Sequence, residues 1–225
     1  MYKLTPTTLK KITSFWRWFL NHEIEILKAL LYQENYNDIF NNLNKKLNTI
    51  STQIGYVIKD TDNQNQKLKI IFTAHGNKKL MPKVEAITQN APSFIHWEVE
   101  SFIKPTEDIE KFKQGLDDAY IFPDFELKTS EAYFSILDYN IEKKKLNLIV
   151  YLKNYRFHFD NSFLQEAVFI MIEDLVGEMA VKKHISFVQL AQLSDNPKNL
   201  IRLYELQEYI ERLSLINRKN SSFLD

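Results

Sequence analysis

The chain contains no cysteine. That excludes disulfides, thiolate nucleophiles, zinc ribbons and iron–sulfur ligation, and it suits a reducing cytoplasm. Glycine is almost as scarce: Gly55, Gly76, Gly115 and Gly177 each stand alone. A phosphate-cradling loop needs glycines close together so that the backbone can approach the anion. No Walker or dinucleotide fingerprint can be written here, and no Gly-x-Ser-x-Gly elbow. Neither charge sign dominates: 29 basic residues face 29 acidic ones. Nucleic-acid binders usually carry a basic excess to neutralise phosphates, so nucleic acid stands only third among the partners considered. Long apolar runs are absent too. "FWRWFL" is interrupted by Arg17, and "MYKLTPTTLKK" has no apolar stretch behind its charges. Neither a signal peptide nor a membrane span is expected.

What is present is a globular composition, 44% hydrophobic and 13% aromatic over 225 residues, enough for one large domain. Hydrophobic periodicity sets the elements. Leu9, Ile12, Trp16, Phe19, Leu20, Ile24, Leu27 and Leu31 recur at helical steps, predicting one helix over 7–32. A second is predicted over 36–50. "QIGYVIKD" and "KLKIIFTAH" form a β-hairpin across the polar run "TDNQNQ". A helix over 77–90 stops ahead of Pro92, and a strand over 95–103 ends at Pro105. A helix is expected over 107–120, whereas 121–130 resists assignment because Pro123 argues against a central strand. "EAYFSILDYN" and "KLNLIVYLK" make a second hairpin. A helix over 163–176 follows, with Ser162 and Gln165 as a capping box and Gly177 as its C-terminal stop. Lys182 and Lys183 read as a loop before the strand "HISFVQL". A last helix is expected from Pro197, capped by Asn196, and the tail "NRKNSSFLD" reads as loose.

The order hairpin, helix, strand thus occurs twice. The expected fold is α+β: a single domain, 1–225, in which two ββαβ units (52–105 and 106–193) share a mixed or antiparallel sheet with helices on one face. A helical pair, 1–51, precedes them, and a C-terminal helix and tail, 194–225, follow.

Chemistry is sparse. "HEIEI" at 22–26 starts like a zinc-protease helix, but position 26 is Ile where the second His is needed, so His22 and Glu23 read as an ordinary helix pair. In "HWEVESF" the period of two places His96, Glu98, Glu100 and Phe102 on one face and Trp97 on the other. The His-Glu-Glu row reads as a solvated face. Buried, it would signal function, because uncompensated buried charges cost several kcal/mol each. His75 is the only evident helper for a metal. Trp16 and Trp18 read as core and rim, and Asp174 and Glu178 lie one helical turn apart.

The stretch "FTAHGNKKLMPKVEAITQNAPSFIHWEVESFIKP" resembles a bacterial family of unknown function. Its members read Ser-Ala-x-Gly, a helix with Phe-Pro-x-Val, then Ala-Pro, Trp and Ala-Phe near a closing Pro. Ala74, Gly76, Pro82, Val84, Ala91, Pro92, Trp97, Phe102 and Pro105 match, whereas Thr73 and Ser101 depart. A second segment, an Asp ahead of Leu-Gly-Glu, is matched by Asp174, Gly177 and Glu178, with Val176 in place of Leu. "FWRWFLNHE" is similar to the family's aromatic opening through Phe15, Trp18, Phe19 and Glu23. The resemblance implies a compact α+β protein and carries no activity.

The residues therefore point first to a non-catalytic protein-binding or regulatory module without a cofactor. Trp97, Glu98, Glu100, Asp174 and Glu178 are the candidate binding residues. The alternative is a carboxylate- or metal-dependent hydrolase using Glu98, Glu100, His96 and Glu178. Self-association through an open sheet face is left open.

Overall fold

In the computed structural model, residues 5–60 and 67–221 are described, the last six of them by backbone alone. The polar hairpin loop at 61–66 and the end of the tail, 222–225, lie outside the described residues. The fold is α+β, and the chain divides into two compact units, Met1–Ile103 and Lys104–Asp225. No helix among the described residues is long and apolar enough to cross a membrane.

In the first unit three helices, α1 (Pro6–Asn21), α2 (Glu23–Tyr32) and α3 (Tyr36–Asn48), precede strands β1 (Gly55–Asp60) and β2 (Leu68–Thr73), helix α4 (Met81–Gln89) and strand β3 (Trp97–Ser101). Thr5 caps α1 by accepting the Thr8 N–H, and Pro6 takes the first turn, where a missing N–H costs nothing. The single helix expected over 7–32 is two. His22 leaves helical geometry at φ −119°, its ring stacks on Trp18 at 4.6 Å, and its Nδ1 bonds the Trp18 carbonyl at 2.8 Å. Helical spacing runs through this break, so periodicity alone does not show it.

The sheet order is β1-β2-β3, with β1 antiparallel and β3 parallel to β2. Ile70 and Phe72 of β2 and Trp97 of β3 are buried in the core with Phe15, Trp16 and Phe19 of α1. The rings meet edge-on: Trp16 with Phe72 at 5.7 Å, Phe15 with Phe72 at 5.8 Å, Phe19 with Trp97 at 5.3 Å. Such pairs contribute about 0.5–1.5 kcal/mol each beyond their buried area. Trp16 also donates its indole N–H to the Ile87 carbonyl at 2.8 Å, tying α1 to α4. Trp18 is half-buried at the rim.

The second unit opens with α5 (Ile109–Lys113), followed by a two-residue ribbon, β4 (Tyr120–Ile121) and β5 (Glu126–Leu127), and a 3-10 turn at Thr129–Glu131. Strands β6 (Tyr133–Asn140) and β7 (Lys145–Leu152), helices α6 (Tyr155–His158), α7 (Leu164–Val176) and α8 (Glu178–His184), and strand β8 (Ile185–Gln192) come next. Strand β9 (Ile201–Arg202), a 3-10 turn and α9 (Leu206–Ser221) complete it. The four-stranded order is β8-β7-β6-β9. Strand β7 alternates strictly, with Leu146, Leu148, Val150 and Leu152 buried and their neighbours half-buried. A bulge between Ile136 and Asp138 interrupts β6 against β7.

The repeat seen in the sequence is a repeat of topology. In each unit the hairpin is antiparallel and the strand after the helix joins its second strand in parallel. Among the described residues the hydrogen-bonded ladders close within each unit, and no one sheet is shared by both.

Local departures have local causes. Helix α5 is capped by the Asp108 carboxylate, which accepts the Lys111 N–H; Gly115, at φ +70°, lies just beyond the helix, so 107–120 is not one helix. Pro123 sits in the turn of the β4–β5 ribbon, which Phe122 N–H closes onto the Phe125 carbonyl at 2.9 Å. The Ser162–Gln165 capping box does not form. Instead the Asn161 side chain accepts the Phe163 N–H, and Gln165 donates to the Val188 carbonyl. Pro197 belongs to a turn, and Ile201–Arg202 pair with β6 before the last helix starts. That helix then runs to Ser221, through residues that read as a loose tail. Lys182 and Lys183, read as loop, lie in α8.

Trp16 and Trp97 differ in one respect: the Trp97 indole N–H is buried without a partner among the described residues. Trp16→Phe leaves the Ile87 carbonyl short of a donor, at a cost of about 1–3 kcal/mol on top of lost packing. Trp97→Phe loses packing alone. Urea unfolding is expected to rank Trp16→Phe as the more destabilised; the reverse order would remove the hydrogen bond as the deciding contribution.

Candidate functional site

Trp97, Glu98 and Glu100 lie on β3. Trp97 is core, at 2% exposure. Glu98 and Glu100 project to the other face, as their alternation requires. They are neither solvated nor closed in. Their side chains keep 35% and 19% exposure, and Lys69 of β2 stands between them, 2.9 Å from Glu100 and 3.9 Å from Glu98. Lys69 is directly opposite Glu98 in the parallel ladder. A cation on the neighbouring strand thus offsets the acidic row, a compensation that reading β3 by itself misses. The row does not extend further. His96 is exposed, and Phe102 turns away at φ +64° to pack on the core rather than on the acidic face.

Asp174 and Glu178 lie in the second unit, at the α7–α8 junction, with Glu173 beside them. Gly177 adopts φ 83°, ψ 144°, a conformation essentially reserved for glycine. Its N–H closes α7 onto the Glu173 carbonyl at 2.8 Å, and its backbone turn lets α8 begin at once. The first side chain of α8, Glu178, is fully buried. Asp174 accepts the Tyr120 hydroxyl at 3.1 Å. Burial, and then the Asp174 charge, raise the Tyr120 pKa far above its usual range, so the phenol stays protonated and donating. Glu173 is pushed up to about 7, first by burial and then by the negative charges of Glu178 and Asp174.

A second buried carboxylate was not singled out from the sequence. Asp117 is 4% exposed. One of its oxygens accepts the Ser130 N–H at 3.1 Å, and the other has no partner among the described residues. Its only sequence signal is an acid beside a glycine-terminated turn. Among the described residues no three His, Asp or Glu side chains are grouped as a metal ion would require. A crevice beside α6, lined by Tyr155 and His158, has room for only about 40 Å³, a few waters.

Two outcomes follow. Between its unfolded value near 4.5 and its folded value near 7, Glu173 holds a proton in the folded state that the unfolded chain has released. Its contribution to stability therefore falls as pH rises through that window. Glu173→Gln is expected to flatten the decline in chemical-denaturation profiles taken across this range; an unchanged profile would remove the coupling. Gly177→Ala is expected to cost roughly 1–3 kcal/mol, the strain of a side chain at that backbone geometry, read as a lowered Tm. No family model matches the chain, and neither a curated protein nor a solved structure matches it.

Proposed function

We propose that the chain is a non-catalytic protein-binding module of a reducing cytoplasm, docking a partner protein on the outer face of its four-stranded sheet. The observation that carries this reading is the side-chain set of that face. Register puts Tyr133 and Ser135 of β6, Asn147, Ile149 and Tyr151 of β7, Phe187 and Gln189 of β8, and Arg202 of β9 on one side. None of them is buried, and Phe187 is 52% exposed. The opposite face carries the core: Phe134, Leu146, Leu148, Val150 and Val188.

This face is ordered rather than greasy. Arg202 lies over the Tyr133 ring at 4.2 Å, Ser135 and Tyr151 share a hydrogen bond at 3.1 Å, and Asn147 donates to Asp138 at 2.9 Å. Tyrosine, phenylalanine and arginine are the residue types enriched where proteins meet, because each offers a large rigid contact with a polar handle. Side chains already held by neighbours lose little freedom on docking. The acidic pair on β3 supports the same reading, since Lys69 already pairs with Glu100 at 2.9 Å and lies 3.9 Å from Glu98.

The test pairs capture with a surface variant. Phe187→Asp, with Ile149→Lys, is expected to abolish a stoichiometric complex recovered from the source cells while leaving Tm within a few degrees. Phe157→Ser, an exposed aromatic on α6 (80% exposure), should not affect it. A complex indifferent to the sheet-face variants, or none at all, would end the proposal.

A further inference from the structure

From a cleft in the second unit we infer a further site, for a small organic phosphate. The cleft holds about 300 Å³ and is lined by Lys113, Lys128 and Arg202 against the single acid Glu131, with Phe112 and Tyr204 as its apolar walls. Three cations against Glu131 in the lining and Glu110, which pairs with Lys113, leave a charge of about plus one, which favours an anionic ligand such as a phosphate monoester.

The cations are placed by different means. The Arg202 guanidinium is held on two sides, by its hydrogen bond to the Ser130 carbonyl at 3.1 Å and by the Tyr133 ring. That fixes the planar fork while leaving further N–H donors for an anion. Lys113 is the last residue of α5 and is drawn to Glu110 at 2.5 Å, a surface pair that a ligand anion can displace at little cost. Lys128 is half-buried, just ahead of the 129–131 turn. Gly115 also lines the cleft, and a side chain there would meet nothing within 4 Å, so the mouth is open on that side. An inorganic anion would leave Phe112 and Tyr204 unused. A ligand carrying a planar ring would use both, which favours a nucleoside monophosphate over free phosphate.

Arg202 is shared with the docking face, whereas Lys113 and Lys128 are not part of it, so Lys128→Ala tests this site without touching the docking reading. Titration of the full chain by calorimetry and amide NMR would use three probes: inorganic phosphate, AMP and adenosine. AMP is expected to bind saturably in the micromolar to millimolar range, inorganic phosphate more weakly, and adenosine not measurably. Amide shifts should centre on 112–115, 128–131 and 202–204. Arg202→Gln and Lys128→Ala should each weaken AMP binding about tenfold. Because Arg202 also anchors a turn, Lys128→Ala is the variant that decides if Arg202→Gln fails to fold. No saturable AMP response below millimolar levels would overturn the inference. So would undiminished affinity in a folded Lys128→Ala variant, or adenosine binding as tightly as AMP.

Discussion

Each of the two larger sheets presses one face into a hydrophobic core, and that constraint organises both units. In the first, β2 and β3 press Ile70, Phe72 and Trp97 against the aromatic run of α1. In the second, β6 and β7 press Phe134 and the even-numbered leucines of β7 into the same core as Leu164, Val168 and Met171 of α7. A parallel pair cannot be joined by a tight turn, so the chain must cross over, and the crossing helix is what covers the buried face. One connection rule therefore sets the strand order, the placement of α4 and α7, and the face left for other work.

This division explains where polar chemistry is found. Lys69, Glu98 and Glu100 occupy the face of their sheet that does not enter the aromatic core, and they satisfy one another. The polar groups that do go inside lie at or beside the ends of elements: Thr73 closes β2, Glu178 opens α8 just after Gly177, and Asp117 and Ser130 lie in the turns before β6. Joints are where backbone N–H groups lack ladder or helix partners, so acidic side chains find donors there. The Ser130 N–H bound to Asp117 is one instance.

The parts legible in the sequence are those governed by periodicity. Strict alternation in "KLNLIVYLK" gave β7 its two faces, the aromatic spacing of "FWRWFL" put Trp16 inside and Trp18 at the rim, and Gly177 announced a helix end. The parts missed depend on geometry that spacing does not encode. The α1–α2 break rests on one residue, His22, leaving helical φ. Strand β9 exists because Ile201 and Arg202 find β6, a pairing across 67 positions of chain for Ile201 and Phe134, far beyond any local window. The ion pair that changes the meaning of Glu98 and Glu100 is likewise supplied by another strand. Phe102 shows the limit most simply: period two assigns it to the acidic face, and a single positive φ sends it to the core.

The bulge in β6 carries a last consequence. The ladder to β9 covers only Tyr133 and Phe134, and the bulge follows within a few residues. A long straight rim would invite a neighbour's backbone to zip alongside it and propagate into fibres. A kinked rim stops such growth after a few rungs. Restoring regular pairing there, by deleting Leu137, would trade that safeguard for a smoother ladder.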